Sequence, residues 1–217
     1  MDTSTTHQRL TDRKRAAIVS AAIEEFLAAG YDATSMDRIA ARADVSKRTV
    51  YNHFPSKDAL FAAILHQLWD ASHSGSTPAF RSDVPLRAQL LDLLTRKLRL
   101  LNDDAFLALA RVAIAAAIHS PERARDMVER LGEREEDVTV WIRAAAAAGR
   151  LAAPDPAFAS HQLQGIVKAF AFWPQVTMGQ PPLSDQAQQR VAESAADMFL
   201  AYYERKQDGG GQDESAR

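Results

Sequence analysis

The sequence predicts an all-α protein of two domains and about nine helices, and three observations carry that expectation. Apolar residues recur at 3.6-residue spacing along nearly the whole chain, and no period-2 run bounded by turn residues is long enough for a strand. Helix starts and stops also punctuate it at helix-length intervals: Ser120-Pro121 and Asp155-Pro156 as starts, Gly30 and Gly149 as stops. The composition agrees. With 217 residues, 47% hydrophobic and 25% charged, the chain can bury a sizeable core and is not of disordered type. It has no cysteine, which removes disulfides, thiolate zinc sites and cysteine nucleophiles and fits a reducing cytoplasm.

The first helix is expected from about Thr11 to Ala29, with Val19, Ile23, Phe26 and Leu27 on one face and Gly30 as its stop. Two short helices follow within residues 34–61. A fourth helix begins near Ser56, carries Leu60, Phe61, Ile64, Leu65, Leu68 and Trp69, and runs out in SHSGSTP, residues 72–78, which reads as a linker. Leu90, Leu94, Leu98 and Leu101 mark a fifth helix. The sixth, Asp104 to His119, is apolar almost all round and belongs in the middle of a bundle. Its run from Val112 to Ile118 is far short of the ~20 residues of a membrane span. The first residues hold no apolar stretch of the kind a secretory signal needs. Ser120-Pro121 opens a helix reaching Gly149, with Gly132 as a candidate interruption. Asp155-Pro156 opens one with Leu163, Ile166, Val167, Phe170 and Trp173 on one face, which Pro174 should kink or end. Ser184 caps a last helix carrying Val191, Ala195, Met198, Phe199 and Tyr202. From Gln207 the glycine-rich tail reads as disordered.

Whole-chain charge, −2, argues nothing about an anionic partner, but local charge does. Residues 46–57 hold Lys47, Arg48 and Lys57 with no acid, and residues 9–15 hold four cations against Asp12. The first of these islands lies in TSMDRIAARADVSKRTVYNHFPSKDALF. Here a helix near Met36 to Ala43 buries Ile39, Ala40 and Ala43, and one near Ser46 to His53 buries Val50 and Phe54. Small residues at Ala40 and Ala43 let the two cross closely, and Val45 plugs the corner, which is helix-turn-helix arithmetic. Left exposed are Lys47, Arg48, Thr49, Tyr51, Asn52 and His53, donors suited to phosphates and base edges on a rod that fits the major groove.

The run IAARADVSKRTVYNHFPSKDALF, after a helix ending AAGYDATS, resembles the DNA-binding domain of the TetR/AcrR family of bacterial transcriptional repressors, over Arg13 to about Leu65. FWPQVTMGQPPLS followed by SAADMFLAYY resembles the family's C-terminal part more loosely. The resemblance implies that Lys47, Thr49, Tyr51, His53 and Lys57 stand where family members touch DNA. It likewise implies that Thr34, Ser35 and Met36 stand where the second helix approaches phosphate, although Met36 lacks a hydroxyl. Asp44 stands where the family's turn often has Gly; Asp tolerates positive φ better than most residues, so the same turn is expected at slight strain. The expected organisation is a DNA-binding domain over residues 1–55, a helical ligand-binding and dimerisation domain over 56–206, and the tail 207–217.

For that second domain, the apolar sixth helix and the Trp141 region suggest a cavity suited to a small lipophilic effector, lined by Trp69, Phe106, Ala110, Arg111, Ile114, Ala117, Trp141 and Phe170. Arg111, alone on an apolar helix, is expected to be paired internally. The last two long helices carry continuous apolar stripes, so a homodimer seam is expected at Phe170, Trp173, Met198, Phe199 and Tyr202, unless these stripes only close the monomer core. His66, His73, His119 and His161 lack metal-ligand spacing, and neither metal nor cofactor is expected. With no phosphate loop, HExxH or GxSxG elbow, an enzyme is not expected. A cytoplasmic, operator-binding repressor released by its effector is the leading reading. A DNA-binding dimer that senses nothing, and a helical scaffold or enzyme, are its rivals.

Overall fold

The computed structural model describes residues 3–73, 79–132 and 137–205. The expected linker lies largely outside these residues, as does the tail, and of the acidic run Glu133 to Asp137 only Asp137 is inside. Among the described residues there are eleven helices and no strand: α1 Thr3–Ala29, α2 Met36–Arg42, α3 Lys47–His53, α4 Lys57–His73, α5 Leu86–Leu101, α6 Asp104–Ile118, α7 Pro121–Gly132, α8 Asp137–Ala147, α9 Pro156–Ala171, α10 Trp173–Thr177 and α11 Asp185–Tyr203. One isolated antiparallel bridge joins Leu151 and Glu204. The two helices beyond the expected nine come from identifiable residues. The segment after Pro121 is two helices, the first ending at Gly132. The helix expected to be kinked or ended by Pro174 ends, at Ala171, and Pro174 sits in the first turn of the separate α10, where its missing N–H costs nothing.

The helices form two compact units that interleave in sequence. The first gathers α1–α4, α6, α7 and α10, and the second gathers most of α5 with α8, α9 and α11. In the first unit one apolar core runs through Ile18, Ala22 and Phe26 of α1, Ile39 and Ala40 of α2, and Val50 of α3. It continues through Leu60, Phe61 and Ile64 of α4 into Leu109, Val112 and Ala116 of α6. Thus α6 closes the core of the helix-turn-helix, where its broad apolar surface finds partners, although Ile118 at its end is left exposed. The buried face of α1 differs by one step from expectation: Ile18 is fully buried, while Leu27 is exposed.

The α2–α3 corner has a defined geometry. After α2, the Asp44 N–H donates to the Ala41 carbonyl at 3.3 Å and the Val45 N–H to that of Ala40 at 3.1 Å. That pair of bonds is a Schellman cap, which needs a left-handed residue at its centre. Asp44 supplies it at φ 51°, the sole non-glycine with positive φ among the described residues. The expectation of a glycine-like turn built on Asp holds.

The second unit is built on the leucine stripe Leu86, Leu90, Leu94 and Leu98 of α5, with Trp141, Ile142 and Ala145 of α8, Leu163 and Val167 of α9, and Ala195, Phe199 and Leu200 of α11. The Trp141 indole donates to Gln89 Oε1 at 3.3 Å, and the same amide binds the Arg81 N–H and the carbonyls of Arg81 and Val84. Arg87 forks onto Asp197 at 2.7 and 3.1 Å, tying α5 to α11.

Candidate nucleic-acid interface

Helix α3 is set by one hydroxyl and two apolar anchors. Ser46 is its N-cap, accepting from the Thr49 N–H at 3.1 Å, and its Oγ lies 2.8 Å from the Thr49 hydroxyl. Val50 and Phe54 are buried, which turns the opposite face outward. On that face Lys47, Arg48, Tyr51 and Asn52 are exposed, with Thr49 and His53 half-buried beside them. Lys47 is paired with Asp37 of α2 at 2.8 Å, and that carboxylate holds its ammonium above the usual lysine range. Both partners are exposed, so a phosphate can replace Asp37 at small cost. No carboxylate among the described residues pairs with Arg48. The row can therefore offer a guanidinium, an ammonium, a phenol and an amide to a duplex groove.

Behind this row two of the expected contact residues bond within the chain. Thr34 is buried, and its hydroxyl donates to the carbonyls of Gly30 (2.8 Å) and Glu25 (3.1 Å), so it finishes α1 and has no free face for a phosphate. Lys57 directs its ammonium to the carbonyls of Tyr31 (2.7 Å), Thr34 (2.9 Å) and Asp32 (3.2 Å), and lies 4.4 Å from the Tyr31 ring centroid. All three protons are spent on the α1–α2 turn. Ser35 remains exposed and caps α2 through the Arg38 N–H, whereas Met36 is buried.

A network unmarked by the sequence reading holds α2 in place. Glu25 of α1 is buried and meets Arg42 at 2.6 Å and Arg38 at 2.8 Å, both on α2. The Arg42 hydrogen bond, against the opposing effect of burial, holds the Glu25 carboxyl below the usual carboxylate range. The only signal available was Glu24-Glu25 facing two arginines spaced i, i+4. Tyr31 is a second hub: buried, donating to Asp58, and approached by Arg123 of α7 at 3.9 Å from its ring centroid. Burial, then the Asp58 bond, push its phenol well above the usual tyrosine range.

The residues expected to line a ligand cavity are divided between the units. In the first, Phe106 and Ala110 are buried and Arg111, Ile114 and Ala117 half-buried on α6. Arg111 donates to the Gln175 carbonyl at 2.9 Å, the internal pairing expected, though to a carbonyl rather than a carboxylate. In the second unit Trp141 is buried, while Phe170 is 56% exposed and lines no interior. The Trp69 side chain lies outside what is described. Of the expected seam, Phe170, Met198 and Tyr202 of the second unit are exposed, as is Trp173 of the first, but Phe199 is buried against Tyr203 within its own unit. Among the described residues no helix is long and apolar enough to cross a membrane.

The family description "Bacterial regulatory proteins, tetR family" matches residues 18–64, and "AefR-like transcriptional repressor, C-terminal domain" matches residues 88–205. A TetR family transcriptional regulator from Pseudomonas syringae pv. tomato str. DC3000 superposes with TM-score 0.81 at 52% identity, over 89% of this chain and 98% of that one. The flavonoid-responsive regulator FrrA superposes with TM-score 0.69 at 28% identity, over 90% of this chain and all of that one. The HTH-type transcriptional regulator RutR of Escherichia coli (strain K12) is 29% identical over 172 residues, 77% of this chain and 79% of that protein. Helix-turn-helix geometry, the exposed donor row of α3 and matches over both parts of the chain agree: the chain belongs to the TetR family of DNA-binding transcriptional regulators.

Proposed function

We propose that the protein is a cytoplasmic homodimeric repressor that binds a palindromic operator and is released by a small lipophilic ligand. One observation carries the DNA half: α3 turns Lys47, Arg48, Tyr51 and Asn52 outward over the buried Val50 and Phe54. Ser35, Thr49 and His53 flank that row, and these seven residues form the proposed contact surface. Thr34 and Lys57 act beneath it by fixing the turn. A seven-residue helix reads few base pairs, so useful affinity requires two copies on one duplex. The exposed Phe170, Met198 and Tyr202 on α9 and α11 supply an apolar seam for a four-helix dimer bundle.

The ligand half is supported by a relative named as flavonoid-responsive and by the position of α6. Leu109, Val112 and Ala116 of this helix belong to the helix-turn-helix core, so whatever displaces α6 reaches α3 through packed side chains. The proposed roles are DNA binding for residues 1–55 and sensing and dimerisation for 56–206, with α6 packed inside the unit that holds the helix-turn-helix. The test is fluorescence anisotropy with selected genomic fragments at several salt concentrations. Arg48→Ala should weaken binding to all sequences and lower the salt slope by ~1. Asn52→Ala should change preference among operator variants. If both variants bind operator and random DNA as the parent does, the proposed surface is wrong.

A further inference from the structure

We infer that Arg111 of α6 and Gln175 of α10 form the polar anchor of the effector site, and that the effector is an aromatic molecule carrying a carboxylate. The inference rests on the ligand-responsive reading above and gives that ligand a charge. The first observation is Gln175. Its side chain is 1% exposed, yet neither its amide nitrogen nor its amide oxygen has a hydrogen-bond partner among the described residues. A buried amide left unpaired at both ends is costly and rare in folded proteins, so a group that satisfies it is expected. The second is Arg111. It sits half-buried on an otherwise apolar helix, spends one N–H on the Gln175 carbonyl at 2.9 Å, and pairs with no carboxylate among the described residues. A guanidinium out of full solvent calls for an anion.

Together the two side chains offer several donors and one acceptor. A planar, bidentate acceptor such as a carboxylate matches the guanidinium fork and can also take a Gln175 Nε2–H, while the Gln175 amide oxygen needs a separate donor such as a water. The neighbouring chain supplies the aromatic part of the argument, since Phe172 and Trp173 come three and two residues before Gln175 and Phe106 is on the same helix as Arg111. Phe106 of α6 and Phe172, which precedes α10, lie 6.4 Å apart between ring centroids, and Trp173 packs edge-on to Phe172 at 5.0 Å. The Arg111 bond to the Gln175 carbonyl itself ties α10 to α6. An anion drawn between Arg111 and Gln175 would bear on α6 one residue from Val112, which lies in the helix-turn-helix core.

The test compares 2-naphthoate with neutral 2-naphthamide on the full chain at neutral pH, by calorimetric titration and by release of bound operator. The expected result is that naphthoate binds about tenfold or more tightly than the amide, as a charge-assisted bond to arginine would give. Arg111→Met should erase that preference, and Arg111→Lys should keep part of it. Gln175→Leu should weaken naphthoate binding while raising the melting temperature of the free protein, because an orphaned amide has been replaced by an apolar group. If the wild type does not prefer naphthoate, or if the preference survives in Arg111→Met, the anchor is overturned. Operator release by naphthamide without any preference for the acid would overturn the anchor alone. Failure of every aromatic compound to bind or release operator would overturn the ligand-responsive reading as well.

Discussion

Single residues decide whether α3 is presented at all, and three of them can be tested. Asp44 occupies a left-handed position that costs an L-residue more than glycine. Asp44→Gly should therefore stabilise the first unit by about 0.5–1 kcal/mol, read as a higher melting temperature, and an unchanged value would show that Asp44 is unstrained. Ser46→Ala removes the cap of a seven-residue helix and should cost about 1 kcal/mol with a matching loss of operator affinity. Glu25 makes a statement about pH. Its carboxyl is held below the ordinary value of 4.5 in the folded chain, so its pairing stabilises the fold above that value. The contribution is lost as pH falls from 4.5 through the lower folded value. Glu25→Gln should lower the melting temperature at neutral pH and flatten its fall through that acid range. An identical acid profile for the two proteins would remove Glu25 from the account. At this scale Lys47 and Arg48 were legible, because exposed cations on an amphipathic helix need no tertiary context. The carbonyl cage of Lys57 was not legible, since it depends on where the turn after α1 meets the start of α4, and the inward turn of Thr34 depends on how the chain folds back onto the end of α1.

At the scale of elements, the periodicity gave most of the helices and the caps gave their ends. What it left out was partnership. Helix α7 reaches back to the DNA-binding half through Arg123, which lies over the Tyr31 ring and 3.6 Å from Asp32. Nothing in a window around residue 123 announces a partner ninety residues earlier. Arg123→Ala should destabilise the first unit by about 1 kcal/mol through loss of the cation–π contact. Thermal unfolding of the variant checks this; full parental stability would mean the contact contributes nothing. From sequence the α9 and α11 stripes fit either a dimer seam or closure of the monomer core, and the fold divides α11 between inside and outside: Phe199 is buried in its own unit while Met198 and Tyr202 are exposed. An apolar stripe wider than one contact surface cannot be divided between inside and outside from sequence.

For the whole molecule the expected behaviour is a linked equilibrium. Met198→Asp combined with Tyr202→Asp puts charges into the proposed seam, and sedimentation at micromolar concentration should then show monomers with weak operator binding. A monomer that still binds a palindrome as tightly as the parent would remove the dimer from the mechanism. An effector that releases DNA is expected to couple by ~1–3 kcal/mol, which is roughly 5- to 150-fold in operator affinity. By linkage, operator must weaken effector binding by the same factor. A titration of effector with and without saturating operator that gives one dissociation constant would show a passive pocket.

By itself, the sequence determined the all-helical class, the helix-turn-helix and its outward donor row. These follow from local periodicity, capping and the burial of Val50 and Phe54, all set within a few turns of chain. Tertiary structure alone decided that α6 closes the core of the DNA-binding half, and that Gln175 is buried with its amide unpaired. It also decided that Glu25 lies between two arginines. Each of these depends on which helices meet, and that is settled by long-range packing, whose record in the sequence is only that many residues are apolar.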